Sequence, residues 1–165
     1  MKITFRLVLL VAAAGLGFWL WTVLFPGPEK VVLKKMSSLA ATASYRADDS
    51  NLTRAGKAAS LAGFFATDVQ ITINLPDQPG RTFSGREEVK ESALAGFATL
   101  SSLKVEFFDT TVVVGSDRLT ADVNCTANIT VAGNKDYGVQ ELHFQFKKID
   151  GDWRIIRVET VKTLS

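Results

Sequence analysis

Leu119-Thr-Ala-Asp-Val-Asn-Cys-Thr-Ala-Asn-Ile-Thr-Val131 is the stretch that decides the fold. Leu119, Ala121, Val123, Cys125, Ala127, Ile129 and Val131 fall on one side of an extended chain. Thr120, Asp122, Asn124, Thr126, Asn128 and Thr130 fall on the other, because successive strand side chains point to opposite faces. The pattern predicts a long strand with one buried and one wet face, as antiparallel sheets have. Its neighbours continue the pattern. Leu103 to Gly115 reads as a strand before it. After a turn around Gly133-Asn134-Lys135, Leu142, Phe144 and Phe146 alternate with Glu141, His143, Gln145 and Lys147. Asp150-Gly151-Asp152 turns the chain again, and Trp153 to Leu164 closes a four-strand meander.

Upstream the period changes. Val32, Met36, Leu39 and Ala43 recur at helical spacing, predicting a helix from Pro28 to about Tyr45. Asp48-Asp49-Ser50-Asn51 is a break rich in capping residues. A second helix is expected over Leu52–Phe65, with Leu52, Ala55, Ala59, Ala62 and Phe65 on its buried side. Val69, Ile71, Ile73 and Leu75 alternate as a strand, Pro76-Asp77-Gln78-Pro79-Gly80 is a turn, and Arg81-Thr82-Phe83 returns. Ser84-Gly85-Arg86-Glu87 fits a capping box opening a third helix, with Val89, Ala93 and Phe97 buried. Helices followed by antiparallel strands give an α+β layout, with the helices covering one sheet face.

The N-terminus is of another kind. Lys2 and Arg6 precede the uncharged run Leu7–Phe25, and Pro26-Gly27-Pro28 ends it. At ~1.5 Å per residue that run nearly spans ~30 Å of hydrocarbon. A cleaved signal peptide is the rival reading, with Ala12-Ala13-Ala14 as its cleavage site, but its apolar core would then be only Leu7–Val11. The expected layout is a membrane anchor with a short cytoplasmic tail over residues 1–27 and one domain over 28–165. Trp19, Trp21 and Phe25 suit the headgroup layer, and Lys2 and Arg6 favour a cytoplasmic N-terminus, leaving the domain on the outer, periplasmic or extracytoplasmic side. Lys30, Lys34 and Lys35 argue weakly for the opposite orientation. They either touch anionic headgroups or form a solvated helix face.

Composition excludes several classes. Net charge is +2, from 19 basic and 17 acidic residues, which is no footprint for nucleic acid. A single cysteine, Cys125, allows no intrachain disulfide, and with the single histidine, His143, it argues against zinc. Neither a metal nor a cofactor is expected. Asn51, Asn124 and Asn128 open triplets of the glycosylation pattern.

Phe64-Phe65-Ala66-Thr67-Asp68-Val69, Phe83-Ser84-Gly85-Arg86-Glu87-Glu88-Val89 and Phe144-Gln145-Phe146-Lys147-Lys148-Ile149-Asp150-Gly151-Asp152-Trp153-Arg154-Ile155, in this order after two helices, resemble the SnoaL-like branch of the nuclear transport factor 2-like superfamily, of cystatin-like α+β fold. The resemblance covers about residues 29–164. It implies a cone, with a curved antiparallel sheet wrapped on three helices, a pocket at the open end and frequent homodimers. It implies no single activity, since relatives include isomerases, cyclases, dehydratases, ligand binders and scaffolds. In ketosteroid isomerase-like relatives an aspartate base lies near the end of the first strand. The matching stretch here is Thr72-Ile73-Asn74, without a carboxylate. The rows expected to face inward are apolar, so no residue is assigned a catalytic role.

Two candidate sites remain. Tyr45, Phe64, Cys125, Phe144 and Phe146 are expected to line the cone, with Tyr45 its one polar group beyond the inert thiol. Asn124, Thr126, His143, Gln145, Arg157 and Glu159 are expected on the outer sheet face. Pairing by residue sums of 269 across the Gly133 turn puts Asp122 opposite Lys147, Asn124 opposite Gln145, Thr126 opposite His143 and Asn128 opposite Glu141. Sums of 302 across a three-residue Asp150 loop put His143 opposite Glu159, Gln145 opposite Arg157, Phe144 opposite Val158 and Phe146 opposite Ile156. The expected function is a membrane-tethered, non-catalytic module. It takes an apolar small molecule in the cone, or a homodimer mate or envelope protein on the sheet face. The alternative is a SnoaL-like enzyme acting on a hydrophobic substrate, with Tyr45 and Asp48 or Asp49 at the mouth.

Overall fold

Pro28 opens helix α1 (Pro28–Ala43), where its missing amide costs nothing and Glu29 faces the positive helix end. The computed structural model describes residue 15 and residues 27–74, 80–131 and 134–161. The expected anchor Leu7–Phe25, and residues 75–79 of the first turn, lie outside the described residues. Among the described residues no helix is long and apolar enough to cross a membrane.

Among the described residues three helices, α1, α2 (Asn51–Ala62) and α3 (Arg86–Thr99), lie against one six-stranded sheet. Its strands are β1 (Phe65–Ile73), β2 (Arg81–Ser84), β3 (Leu103–Val114), β4 (Thr120–Val131), β5 (Asn134–Ile149) and β6 (Asp152–Thr160), ordered β2-β1-β6-β5-β4-β3. Neighbours are antiparallel except β1 and β6, which run parallel. Val32, Met36 and Leu39 of α1 pack on Val123, Cys125, Phe144, Phe146, Trp153, Ile155 and Val158, forming the main core. A smaller cluster joins Tyr45, Ala58 and Phe97.

Several expectations are corrected. On α2 the buried residues are Ala58 and Ala62, whereas Leu52, Ala55 and Ala59 are exposed. The helix instead turns Arg54 and Lys57 inward, and their stems cover apolar surface while their heads reach carbonyl oxygens. Phe65 belongs to β1 rather than to α2. The capping box of α3 does not form. Gly85, at φ 89°, is the N-cap, and Glu88, not Glu87, accepts the Ser84 amide at 2.6 Å. A φ in the left-handed region suits glycine, and it starts the helix later than the box requires. Leu119 does not join the buried row, because β4 begins at Thr120.

The sheet registers differ in an instructive way. Asp122 faces Gln145, Asn124 faces His143, Thr126 faces Glu141 and Asn128 faces Val139. This is a slip of two residues from the expected pairing, which leaves each side chain on its face. Beyond Asp150-Gly151 the loop holds two residues, not three, since Ile149 pairs with Asp152. Both sit at positive φ, 51° and 83°, the backbone of a type I′ hairpin turn favoured by Asp-Gly. Phe146 then pairs with Ile155, not Ile156, and Ile156 is the extra residue of a bulge. Past the bulge the expected pairs hold: Gln145 with Arg157, Phe144 with Val158 and His143 with Glu159.

Candidate functional site

Tyr45 follows α1 in a short bridge to Leu103 of β3, with backbone hydrogen bonds in both directions. Ser44 anchors this crossing. Its Oγ donates to Ala40 O at 2.7 Å and accepts the Val105 amide at 2.9 Å. The Tyr45 ring is buried 4.6 Å from the Phe97 ring, and its hydroxyl donates to Leu100 O at 3.1 Å. Burial pushes the phenol pKa up, and the Arg54 charge opposes that. The hydroxyl thus serves the end of α3 rather than an open pocket.

Arg54 is the residue the sequence did not disclose. Its guanidinium donates to Asp49 O, Phe97 O, Leu100 O, Arg46 O, Ala47 O and Ser101 O, at 3.0 to 3.3 Å, and its centre lies 4.9 Å from the Tyr45 ring centroid. The planar fork closes the 46–49 loop onto the C-terminus of α3, where a cation also meets the negative end of the helix dipole.

Beside this clasp a cleft of about 910 Å³ opens between the loop and β3, lined by Ser44, Arg46, Asp49, Lys57, Lys104 and Glu106 among others. Lys57 Nζ donates to Asp49 Oδ2 and to Ser44 O, both at 2.9 Å. That bond, helped by the Arg46 amide, holds the Asp49 carboxyl below its usual range. Lys104 and Glu106 pair at 2.8 Å. Lys57 and Tyr45 both donate to carbonyl oxygens. Among the described residues no group of three His, Cys, Asp or Glu side chains could hold a metal ion.

Of the expected cone residues, Cys125, Phe144 and Phe146 are fully enclosed by α1 and the sheet, and Phe64 packs at the margin of that core under Lys35. Burial pushes the Cys125 thiol up to about 12. The structure therefore does not gather these residues with Tyr45. They fill the interior that a pocket would occupy.

Asn124, Thr126, His143, Gln145, Arg157 and Glu159 share the opposite face, which carries no helix among the described residues. His143 contacts Asp122 Oδ1 at 3.0 Å rather than Glu159, and Gln145 donates to the same oxygen at 3.2 Å. Arg157 reaches Glu159 and Gln70, each at 3.3 Å. On the same face Phe108 is 48% exposed, Val113 59% and Val139 66%. Their cross-strand partners are Thr126, Asp122 and Asn128. The Phe107-Phe108 doublet was a usable clue, since adjacent strand residues cannot both face the core.

The sequence pattern of the SnoaL-like domain matches residues 51–159. The chain belongs to the SnoaL-like domain family. None of the curated proteins matches it. Solved structures share the fold of this SnoaL-like domain. A nuclear transport factor 2-like protein with a cystatin-like fold from Novosphingobium aromaticivorans is 17% identical, with 79% of each chain covered and a TM-score of 0.61. A proposed dehydratase of the same fold family from Streptomyces avermitilis is 20% identical, covering 83% of this chain and 96% of its own, with a TM-score of 0.58. A proposed aromatic ring hydroxylase from Novosphingobium aromaticivorans is 12% identical, covering 83% and 90%, with a TM-score of 0.62. At these identities the likeness establishes the three-helix, curved-sheet fold of the SnoaL-like domain and leaves its activity open.

Proposed function

We propose that this chain is a membrane-tethered, non-catalytic module that associates through its outer sheet face, with a second copy of itself or with an envelope protein. The observation that carries the reading is the contrast between the two sides of the sheet. The helix side is filled by Phe144, Phe146, Met36 and Trp153. Among the described residues no helix covers the other side, which presents Phe108, Val113 and Val139 beside the Asp122–His143–Gln145 cluster. Exposed apolar side chains beside polar groups that already bond to one another suit a protein interface. The tether is Leu7–Phe25, with the domain on the outer side of the membrane.

The test is the oligomeric state of the full chain in detergent, by light scattering after size exclusion. An assembly larger than one protein chain per micelle supports self-association, and Phe108→Glu with Val113→Lys should abolish it. If the parent stays monomeric, a crosslinker placed at Asn124→Cys should trap an envelope protein that the double variant does not trap. Failure of both ends the reading.

A second reading, an enzyme for a hydrophobic substrate, draws support from the cleft beside Tyr45 and Lys57. Its difficulty is that both groups are already bound to carbonyl oxygens.

A further inference from the structure

We propose that the end of the domain next to Pro28 docks on anionic phospholipid headgroups, through Arg118, Lys147 and Lys148 with Leu119 as its apolar tip. The inference rests on the reading of Leu7–Phe25 as a membrane anchor, and it adds a second point of membrane contact far away in sequence.

Chain length brings this surface to the bilayer. Only Pro26 and Gly27 separate the apolar run from α1. At no more than ~3.6 Å per residue, α1 starts within about 11 Å of the end of the anchor. Pro28 and Val31 line one small cleft of about 290 Å³ with Arg118, Lys148, Gly151 and Trp153. The β3–β4 and β5–β6 turns therefore sit at the same end of the domain as the first turn of α1. They are fastened side by side, because the Lys148 amide donates to Leu119 O at 2.7 Å. The Tyr45 cleft lies beyond the other end of α1, about 24 Å along the helix axis at ~1.5 Å per residue.

Charge and apolar character then agree. Arg118, Lys147 and Lys148 are exposed, as is Lys30 on α1. Among the described residues none of the four has an ion-pair partner, whereas Lys35 is held by Asp152 at 2.5 Å. Asp117, the acid of the β3–β4 turn, stays ionised but is turned back onto the Leu119 and Thr120 amides at 2.9 and 3.1 Å. Glu29 and Asp150 are the remaining acids nearby, so these three acids offset part of the charge of Lys30, Arg118, Lys147 and Lys148 and leave it positive. Leu119 is 51% exposed at a turn of otherwise polar residues. A cationic rim around one protruding leucine complements a headgroup layer over hydrocarbon. Each basic residue close to an anionic leaflet is worth about five-fold in local population.

The test uses the full chain in vesicles of phosphatidylcholine alone, or with one-third phosphatidylglycerol, both containing a headgroup-attached quencher. A fluorophore is placed at Ser116→Cys, exposed in the same turn, since Cys125 is buried, and in a second sample at Ala47→Cys. The Ser116 label should be quenched several-fold more in the anionic vesicles, and the Ala47 label in neither. Arg118→Gln with Lys148→Gln, or 0.5 M salt on the parent, should return the Ser116 label to its neutral-vesicle level. Equal quenching in both vesicles, or insensitivity to both the substitutions and salt, overturns the proposal. Floating the vesicles after an alkaline wash separates the causes. A chain that fails to float removes the anchor and this inference together, and one that floats with an unquenched label removes the inference alone.

Discussion

Tyr45 and Arg54 share one acceptor, Leu100 O, and this makes their joint removal a sharp test of the clasp. In Arg54→Ala, Leu100 O keeps the Tyr45 hydroxyl, the exposed carbonyls of Arg46, Ala47 and Ser101 return to water, and the partly buried Asp49 O and Phe97 O lose a donor. An unsatisfied buried acceptor costs ~1–3 kcal/mol, and solvent access keeps these two at the low end. Loss of the cation from the α3 terminus adds ~0.3–1 kcal/mol, and loss of the ring contact ~0.5–1. The total is about 3 kcal/mol. Tyr45→Phe leaves Leu100 O with Arg54 and costs about 1 kcal/mol. The double variant leaves that oxygen without either donor, so it should exceed the sum of the single variants by about 1 kcal/mol. Urea unfolding of the full chain in mild detergent, followed by near-ultraviolet dichroism, reads all three. With a slope near ~2 kcal/mol/M, Arg54→Ala should lower the midpoint by about 1.5 M and Tyr45→Phe by about 0.5 M. Strict additivity would refute the shared-acceptor reasoning, and a midpoint for Arg54→Ala within about 0.25 M of the parent would refute the clasp.

The Cys125 thiol should resist alkylation at pH 8 until the chain unfolds. Its pKa is raised from 9.0 to about 12 in the fold, so the native state holds the proton that the unfolded state releases. Its contribution is complete below pH 9 and is lost as pH climbs from there toward 12, which unfolding midpoints taken across that range will show. Gly151→Ala places a Cβ at φ 83° with nothing within 4 Å, so only backbone strain acts. It should cost about 1 kcal/mol, a fall of roughly 4 °C in Tm by differential scanning calorimetry. Glu88→Ala should destabilise by about 1 kcal/mol in the same calorimetric assay and Glu87→Ala by less than half that, because Glu88 accepts the Ser84 amide and Glu87 meets only Lys90.

Elements with a strict period were legible. The alternation over Thr120–Val131 identified β4, and Val32, Met36 and Leu39 identified the buried stripe of α1. Register was legible only to parity. Apolar content requires Val123 and Phe144 to share a face, which a slip of two residues also satisfies, and the turn that settles the choice has no strong sequence pattern. The helix-free face could be assigned, but its apolar points could not all be found. Val139 follows Asn134–Gly138, where alternation fails. The α2 face was misread because its contact uses Ala58 and Ala62 with two long cationic side chains, and hydrophobicity alone assigns Arg54 and Lys57 to solvent. The Arg54 clasp joins residues more than forty positions apart through backbone oxygens, and backbone oxygens carry no sequence mark.

The place of β6 in the sheet has a consequence for how the domain is made. It lies between β1 and β5, joining the β2-β1 pair to the β5-β4-β3 meander. Until Asp152–Thr160 leaves the ribosome, these are two unjoined half-sheets. A chain emerging N-terminus first must therefore wait with both halves open. Interruption of synthesis before Trp153 would leave Phe144 and Phe146 beside an empty groove. The protein's dependence on chaperones should thus be greatest in the interval before the final strand arrives.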